Sequence, residues 1–159
     1  MKTLAKLRID ILERTVSGLG RIVSRSRKST APAHLLTGAE GEDAVYFHLR
    51  RNRYIVVARR WSCGDRPGDI DLIAWQGPML CFIEVKTRTA EDMTPAEAAV
   101  DRHKRYVLRR LASQYLRQLP LQERPPVRFD VVSVYLLPGQ EMKFLHFENA
   151  FGWDERPTD

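Results

Sequence analysis

The chain has 159 residues, 43% of them hydrophobic and 29% charged, enough to bury one ordinary core and unlike either a membrane protein or a wholly disordered one. No run approaches the roughly 18 uninterrupted apolar residues of a membrane-crossing helix, and charges break up the apolar residues of 1–10, so a cytoplasmic protein without a secretory signal is expected. The two cysteines, Cys63 and Cys81, have neither metal-ligand nor disulfide spacing and read as free thiols of a reducing compartment.

The net charge of +6 is not spread evenly. Residues 1–37 carry Lys2, Lys6, Arg8, Arg14, Arg21, Arg25, Arg27 and Lys28 against Asp10 and Glu13, so this arm holds the whole excess and the rest is balanced. Within it Leu4, Leu7, Ile11, Val16, Leu19 and Ile22 recur at helical spacing, which predicts an amphipathic helix over 3–23 followed by a flexible linker at 24–33. A basic arm of this kind suits nucleic acid, an anionic membrane surface or a partner, and equally a solubilising tail.

From 38 onward one domain is expected to reach about residue 150, with 151–159 as a tail. Ala44, Val45, Phe47 and Leu49 repeat helically, so a first helix is predicted over 38–52, with Thr37 as its N-cap and Glu40, Glu42 and Asp43 in its first turns. Residues 54–58 read as a strand and 62–68 as a turn. Residues 70–75 and 79–86, joined by Gln76-Gly77-Pro78, read as an antiparallel hairpin.

A long helix follows between Thr94, its candidate cap, and Leu119, stopped by Pro120. Residues 128–136 and 142–147 read as the last two strands. Helix, three strands, helix, two strands implies a mixed α/β layer domain in which the long helix is a crossover back to the same sheet.

Chemistry concentrates in the hairpin. Glu84 and Lys86 are two apart on one strand and so share a face, as do Asp69 and Asp71 on the preceding strand. A turn spanning Gln76 to Met79 would set Asp71 opposite Glu84. Carboxylates held this close repel unless a cation lies between them, and oxygen-only ligation suits Mg²⁺ or Mn²⁺ rather than zinc. Such an ion with an adjacent Lys86 ammonium is the equipment for hydrolysing a phosphodiester. The plainer alternative is a weak exposed ion pair, worth about 0–1 kcal/mol.

Gly68-Asp69-Ile70-Asp71-Leu72-Ile73 followed by Phe82-Ile83-Glu84-Val85-Lys86-Thr87-Arg88 resembles the core of the YraN family, which is grouped with Holliday-junction-resolvase-like members of the PD-(D/E)xK nuclease superfamily. The resemblance runs from Gly41-Glu42-Asp43 through Lys104 to Arg128-Phe129-Asp130-Val131, and where the family usually carries Glu this chain has Asp69. It implies a restriction-endonuclease-like mixed sheet flanked by helices, here with an N-terminal helical extension. It further implies metal ligation by Asp71 and Glu84, a catalytic Lys86, and Glu42 approaching the metal directly or through water. Asp69 is a further candidate ligand.

Arg102, Lys104, Arg105, Arg109 and Arg110 make a basic stripe on the long helix, either a solvated face or a contact for DNA phosphates. With Arg88, Lys104 and Arg105 are the candidate nucleic-acid contacts. His34, His48, His103 and His146 lack ligand spacing and receive no role, and Trp61, Trp75 and Trp153 are read as core or as base-stacking platforms.

The expected function is therefore Mg²⁺- or Mn²⁺-dependent endonucleolytic cleavage of DNA, branched or structured, without a small-molecule cofactor, and the resolvase-like resemblance adds the expectation of a homodimer. The competing reading is a non-catalytic nucleic-acid-binding module that retains the nuclease fold.

Overall fold

The computed structural model describes residues 33–64, 67–90, 100–120 and 124–154, with side chains from residue 38. The basic arm's expected helix and linker, Thr94 with Pro95, and the end of the tail lie outside the described residues. Two helices and five strands follow in the order α1 (Ala33–Arg51), β1 (Ile55–Trp61), β2 (Ile70–Gln76), β3 (Met79–Arg88), α2 (Arg102–Leu116), β4 (Val127–Tyr135) and β5 (Lys143–Phe151).

The strands form one sheet in chain order, β1-β2-β3-β4-β5. Neighbours are antiparallel except β3 and β4, whose parallel pairing requires the crossover that α2 supplies. This is the mixed sheet flanked by helices that the sequence implies.

Alternation along the strands divides the core between the two faces. On one face Leu80 and Phe82 of β3 and Ile73 of β2 pack with Val107, Leu108, Leu111 and Ala112 of α2. On the other, Cys81 and Ile83 pack with Leu72, Ala74 and with Ala44, Val45 and Leu49 of α1. Central strands buried on both faces explain why β2 and β3 read as nearly continuous apolar runs.

Five boundaries differ most from the sequence reading. The first helix starts at Ala33, a turn before Thr37, so Thr37 lies inside it and is not its N-cap. The second helix starts at Arg102: Val100 and Asp101 are not helical, and the Asp101 side chain accepts from the Lys104 backbone amide, capping the helix there. It ends at Leu116, before Pro120. Strands β1 and β5 run longer than expected because sheet pairing carries them past their apolar runs, β1 to Trp61 and β5 to Phe151.

Two glycines permit close approaches. A methyl at Gly41 would stand 1.9 Å from Thr87 Oγ1, so a side chain there would force Thr87 or α1 to shift. Gly68, at φ +100, combines a conformation that other residues rarely adopt with a contact to Val107 that a Cβ would close to 2.6 Å. The first brings α1 onto the strand that carries Glu84 and Lys86, and the second lets the start of β2 meet α2.

Candidate active site

The hairpin turn is Gly77-Pro78, and the register runs from Gln76 opposite Met79 to Leu72 opposite Ile83. Continued by one residue, it aligns Asp71 with Glu84. Both emerge on the α2 face, next in line after Ile73 and Phe82. The ladder beyond Leu72 is completed by a side chain, since the Val85 amide donates to Asp71 Oδ2 at 2.6 Å.

Glu84 is 3% exposed, rare for an ionisable residue unless it is paired. Its Oε1 accepts from Lys86 Nζ at 2.9 Å. Its Oε2 is buried without a hydrogen bond of good geometry, and Lys104 Nζ stands 3.0 Å away as an ion-pair partner. The same ammonium donates to the Asp69 carbonyl at 3.3 Å and lies 3.9 Å from Asp69 Oδ1. Burial alone would lower the affinity of Lys104 for its proton, but the Glu84, Asp71 and Asp69 carboxylates outweigh it and raise its pKa above the ordinary value.

Asp71 is shifted the other way. Burial first, and then the charge of Glu84, push its carboxyl up to about 7, against the lowering effect of the Val85 amide and Lys104. Two carboxylates on adjacent strands thus share more negative charge than their surroundings comfortably hold.

Of the predicted site residues, Asp71, Glu84 and Lys86 come together, and Asp69 joins them chiefly through its backbone carbonyl. Glu42 adds to the negative field at Asp71, but its own carboxylate accepts from Arg60 Nε at 2.6 Å. Among the described residues no three His, Cys, Asp or Glu side chains converge in metal-holding geometry. Asp71 and Glu84 could supply one or two carboxylate oxygens, and a Mg²⁺ held by them would need water for the rest of its shell. The buried Glu84 Oε2 beside the proton-retaining Asp71 is the place where added positive charge would be accommodated.

The basic stripe on α2 divides on inspection. Arg105 Nε donates to the Val100 carbonyl, Arg109 Nε to Gly152 and an Arg110 nitrogen to Pro67, which ties the helix to the adjoining loops. Arg105 and Arg109 also lie over the Phe151 ring, at 5.7 and 5.4 Å from its centroid. Arg88, at the end of β3, is half-buried with Tyr135 as its neighbour on β4. Within the stripe, Lys104 reaches the Glu84 and Asp69 carboxylates.

A second polar cluster, on the α1 side of the sheet, went unnoticed in the sequence. Asp130, 1% exposed, accepts two hydrogen bonds from Arg128, one from the Asn149 amide, and pairs with His146 Nε2 at 3.0 Å. Arg128 continues to Tyr54 and Glu148. Asn149, at φ 54, sits where the β4–β5 register shifts, so Asp130 pins an irregularity in β5. The signal was present: Arg128 and Asp130 are two apart on an otherwise apolar strand, the pattern that marked Glu84 and Lys86.

His48 stacks on Phe144, with ring centroids 4.2 Å apart. Trp61 and Trp75 pack against the core, and Trp153 meets Phe129 edge-on. Both cysteines are free, and no helix among the described residues is long and apolar enough to cross a membrane.

The family model described as uncharacterised protein family UPF0102 matches residues 41–134, more than half of the chain. The chain belongs to the UPF0102 family, the YraN-like proteins. A UPF0102 protein of Koribacter versatilis is 52% identical over 105 residues, covering 66% of this chain and 72% of the relative. One of Solibacter usitatus is 39% identical over 127 residues, 80% of this chain and 94% of the relative, and one of Symbiobacterium thermophilum 44% over 115 residues, 72% and 94%. The UPF0102 match opens at Gly41, against Thr87, and closes in β4, so it contains Asp71, Glu84, Lys86 and Lys104 and leaves out the basic arm and β5.

Proposed function

We propose that this protein is a metal-dependent endonuclease-like hydrolase of phosphodiester bonds in DNA, with branched or structured DNA as its substrate class. The observation that carries the reading is one buried carboxylate, Glu84, contacted by two ammonium groups while a second carboxylate, Asp71, shares its face. A strand ion pair on the surface needs one cation and contributes about 0–1 kcal/mol, which gives no reason to bury the acid and gather three further charges around it.

Asp71 and Glu84 would hold Mg²⁺ or Mn²⁺, which when bound supplies a Lewis acid for the phosphate and a more acidic water. Lys86, half-buried at Glu84 Oε1, would orient the attacking water or stabilise charge on the phosphate. Lys104, Arg88 and Arg105 are the candidate phosphate contacts. The branched-DNA part draws on the resolvase-like grouping of the family, and so does the expectation of a homodimer.

The lack of a three-carboxylate cluster among the described residues favours the second reading, a DNA-binding module that keeps the fold without turnover. The experiment that separates the two is nicking of labelled duplex, single-stranded and four-way-junction DNA with Mg²⁺, Mn²⁺ or EDTA, using wild type and Lys86→Ala. Cleavage that requires metal and is lost in the variant supports the nuclease; DNA bound with strong salt dependence but left whole supports the module.

A further inference from the structure

We infer that Lys104 is the resident counter-cation of the carboxylate site, and that a divalent metal ion binds there by displacing its ammonium group. The inference rests on the metal-dependent reading above and changes the role of Lys104 from a phosphate contact on a solvated stripe to an occupant of the site.

The geometry around Nζ supports it. Three oxygens surround the ammonium: Glu84 Oε2 at 3.0 Å, the Asp69 carbonyl at 3.3 Å and Asp69 Oδ1 at 3.9 Å. Carboxylate and carbonyl oxygens are also what a hard divalent cation takes. Lys86, by contrast, holds the other oxygen of Glu84 from two residues along the same strand, so it can keep its partner while Oε2 changes hands.

Burial separates Lys104 from the two residues before it. Its side chain is 25% exposed, whereas Arg102 and His103, beside it in the first turn of α2, are exposed. A lysine that served only to meet phosphate would keep its strongly hydrated ammonium in water. The Asp101 cap fixes the first turn through the Lys104 amide, and Gly68 lets β2 approach α2 at Val107, so the backbone aims this side chain into the site.

An ammonium and a divalent ion cannot both sit on Glu84 Oε2 without strong repulsion in a partly buried site. In the metal-free protein Lys104 occupies Glu84 Oε2, and metal affinity is reduced by the need to expel this internal cation. Once expelled, the ammonium is available to a substrate phosphate, which couples metal arrival to substrate capture.

The test is Mn²⁺ binding to the full chain, without DNA, by isothermal titration calorimetry and by electron paramagnetic resonance of free Mn²⁺, for wild type, Lys104→Met, Lys104→Gln and Lys104→Arg. Circular dichroism establishes that each variant is folded, and the two neutral replacements guard against the failure of one. Removing the charge should tighten Mn²⁺ binding roughly tenfold, which is about 1.4 kcal/mol, while Lys104→Arg stays near wild type. Unchanged or weaker binding in both neutral variants, with wild type binding the ion, overturns the inference and leaves the metal-dependent reading standing. If neither wild type nor the neutral variants bind Mn²⁺ at millimolar concentration, both fall.

Discussion

The Val85 amide donates to Asp71 Oδ2 at 2.6 Å, so the strand that carries Glu84 also fixes the carboxylate that Glu84 repels. The folded protein binds the Asp71 proton more tightly than the unfolded chain does, with a pKa near 7 against 3.8. Stability from this group is thus fully present below pH 3.8 and is lost as pH rises through about 7. Asp71→Asn keeps an oxygen for the Val85 amide and removes the charge. In EDTA the variant should equal or exceed wild type in stability at pH 8, and wild type should lose ground to it between pH 5 and 8. Urea denaturation at the two pH values measures this; parallel losses in both proteins would show that Asp71 is not the strained group.

The Gly41 contact with Thr87 gives a steric prediction. Gly41→Ala should destabilise the protein by roughly 1–3 kcal/mol, the usual cost of overpacking, even though alanine is the better helix former. Pairing it with Thr87→Ala removes the Oγ1 that the new methyl meets and should recover part of the loss. Thermal melts of the two single variants and the double variant form a cycle, and simple additivity would mean that the helix and strand do not meet there.

Asp130→Asn tests the cluster on the opposite face. Burial alone would raise the Asp130 carboxyl, but hydrogen bonds from His146, Arg128 and the Asn149 amide hold it below its ordinary range. The stabilisation is therefore present above the unfolded carboxyl range and disappears as pH falls through the lowered value. Losing one partner of a buried ion pair costs about 3–5 kcal/mol. The substitution should lower the urea midpoint by a corresponding amount near pH 7, with the gap narrowing in acid, while Mn²⁺ affinity at Asp71 and Glu84 stays the same. A changed metal affinity would show that the two faces of the sheet communicate.

Residues 1–32 carry the entire +6 excess outside the family match, so a chain starting at Ala33 tests the arm. Its melting temperature should match the full chain, because both described helices and all five strands of the sheet are kept. Should the arm meet phosphates, DNA affinity falls and the slope of log affinity against log salt becomes shallower. An unchanged slope would assign the arm to a membrane surface, a partner or solubility.

The hairpin was legible because two independent signals agree: alternating faces place Asp71 with Asp69 and Glu84 with Lys86, and Gly77-Pro78 sets the register. The crossover followed from element order alone. The start of α2 was not legible, since Asp101 is followed by three polar residues and Thr94-Pro95 offered an earlier cap. Lys104 stood out from its four arginine neighbours in the stripe only through the family resemblance, and its place at Glu84 depends on the packing of α2 on the sheet. The Asp130 cluster joins residues from Tyr54 to Asn149, and spacing along one strand names only two of its members.

The parallel β3–β4 junction has a further consequence, for the order in which the molecule comes together. Asp71 and Glu84 meet through a tight hairpin, a contact local in sequence, whereas Lys104 arrives only when the crossover helix docks. Contacts between distant parts of a chain close later because more chain must be ordered first. During refolding the two acids then face each other with Lys86 beside them and Lys104 not yet in place. Removing one of the two charges should ease that step, so stopped-flow refolding at pH 8 without metal is expected to be faster for Asp71→Asn than for wild type. Equal rates for the two proteins would mean that helix and hairpin assemble together.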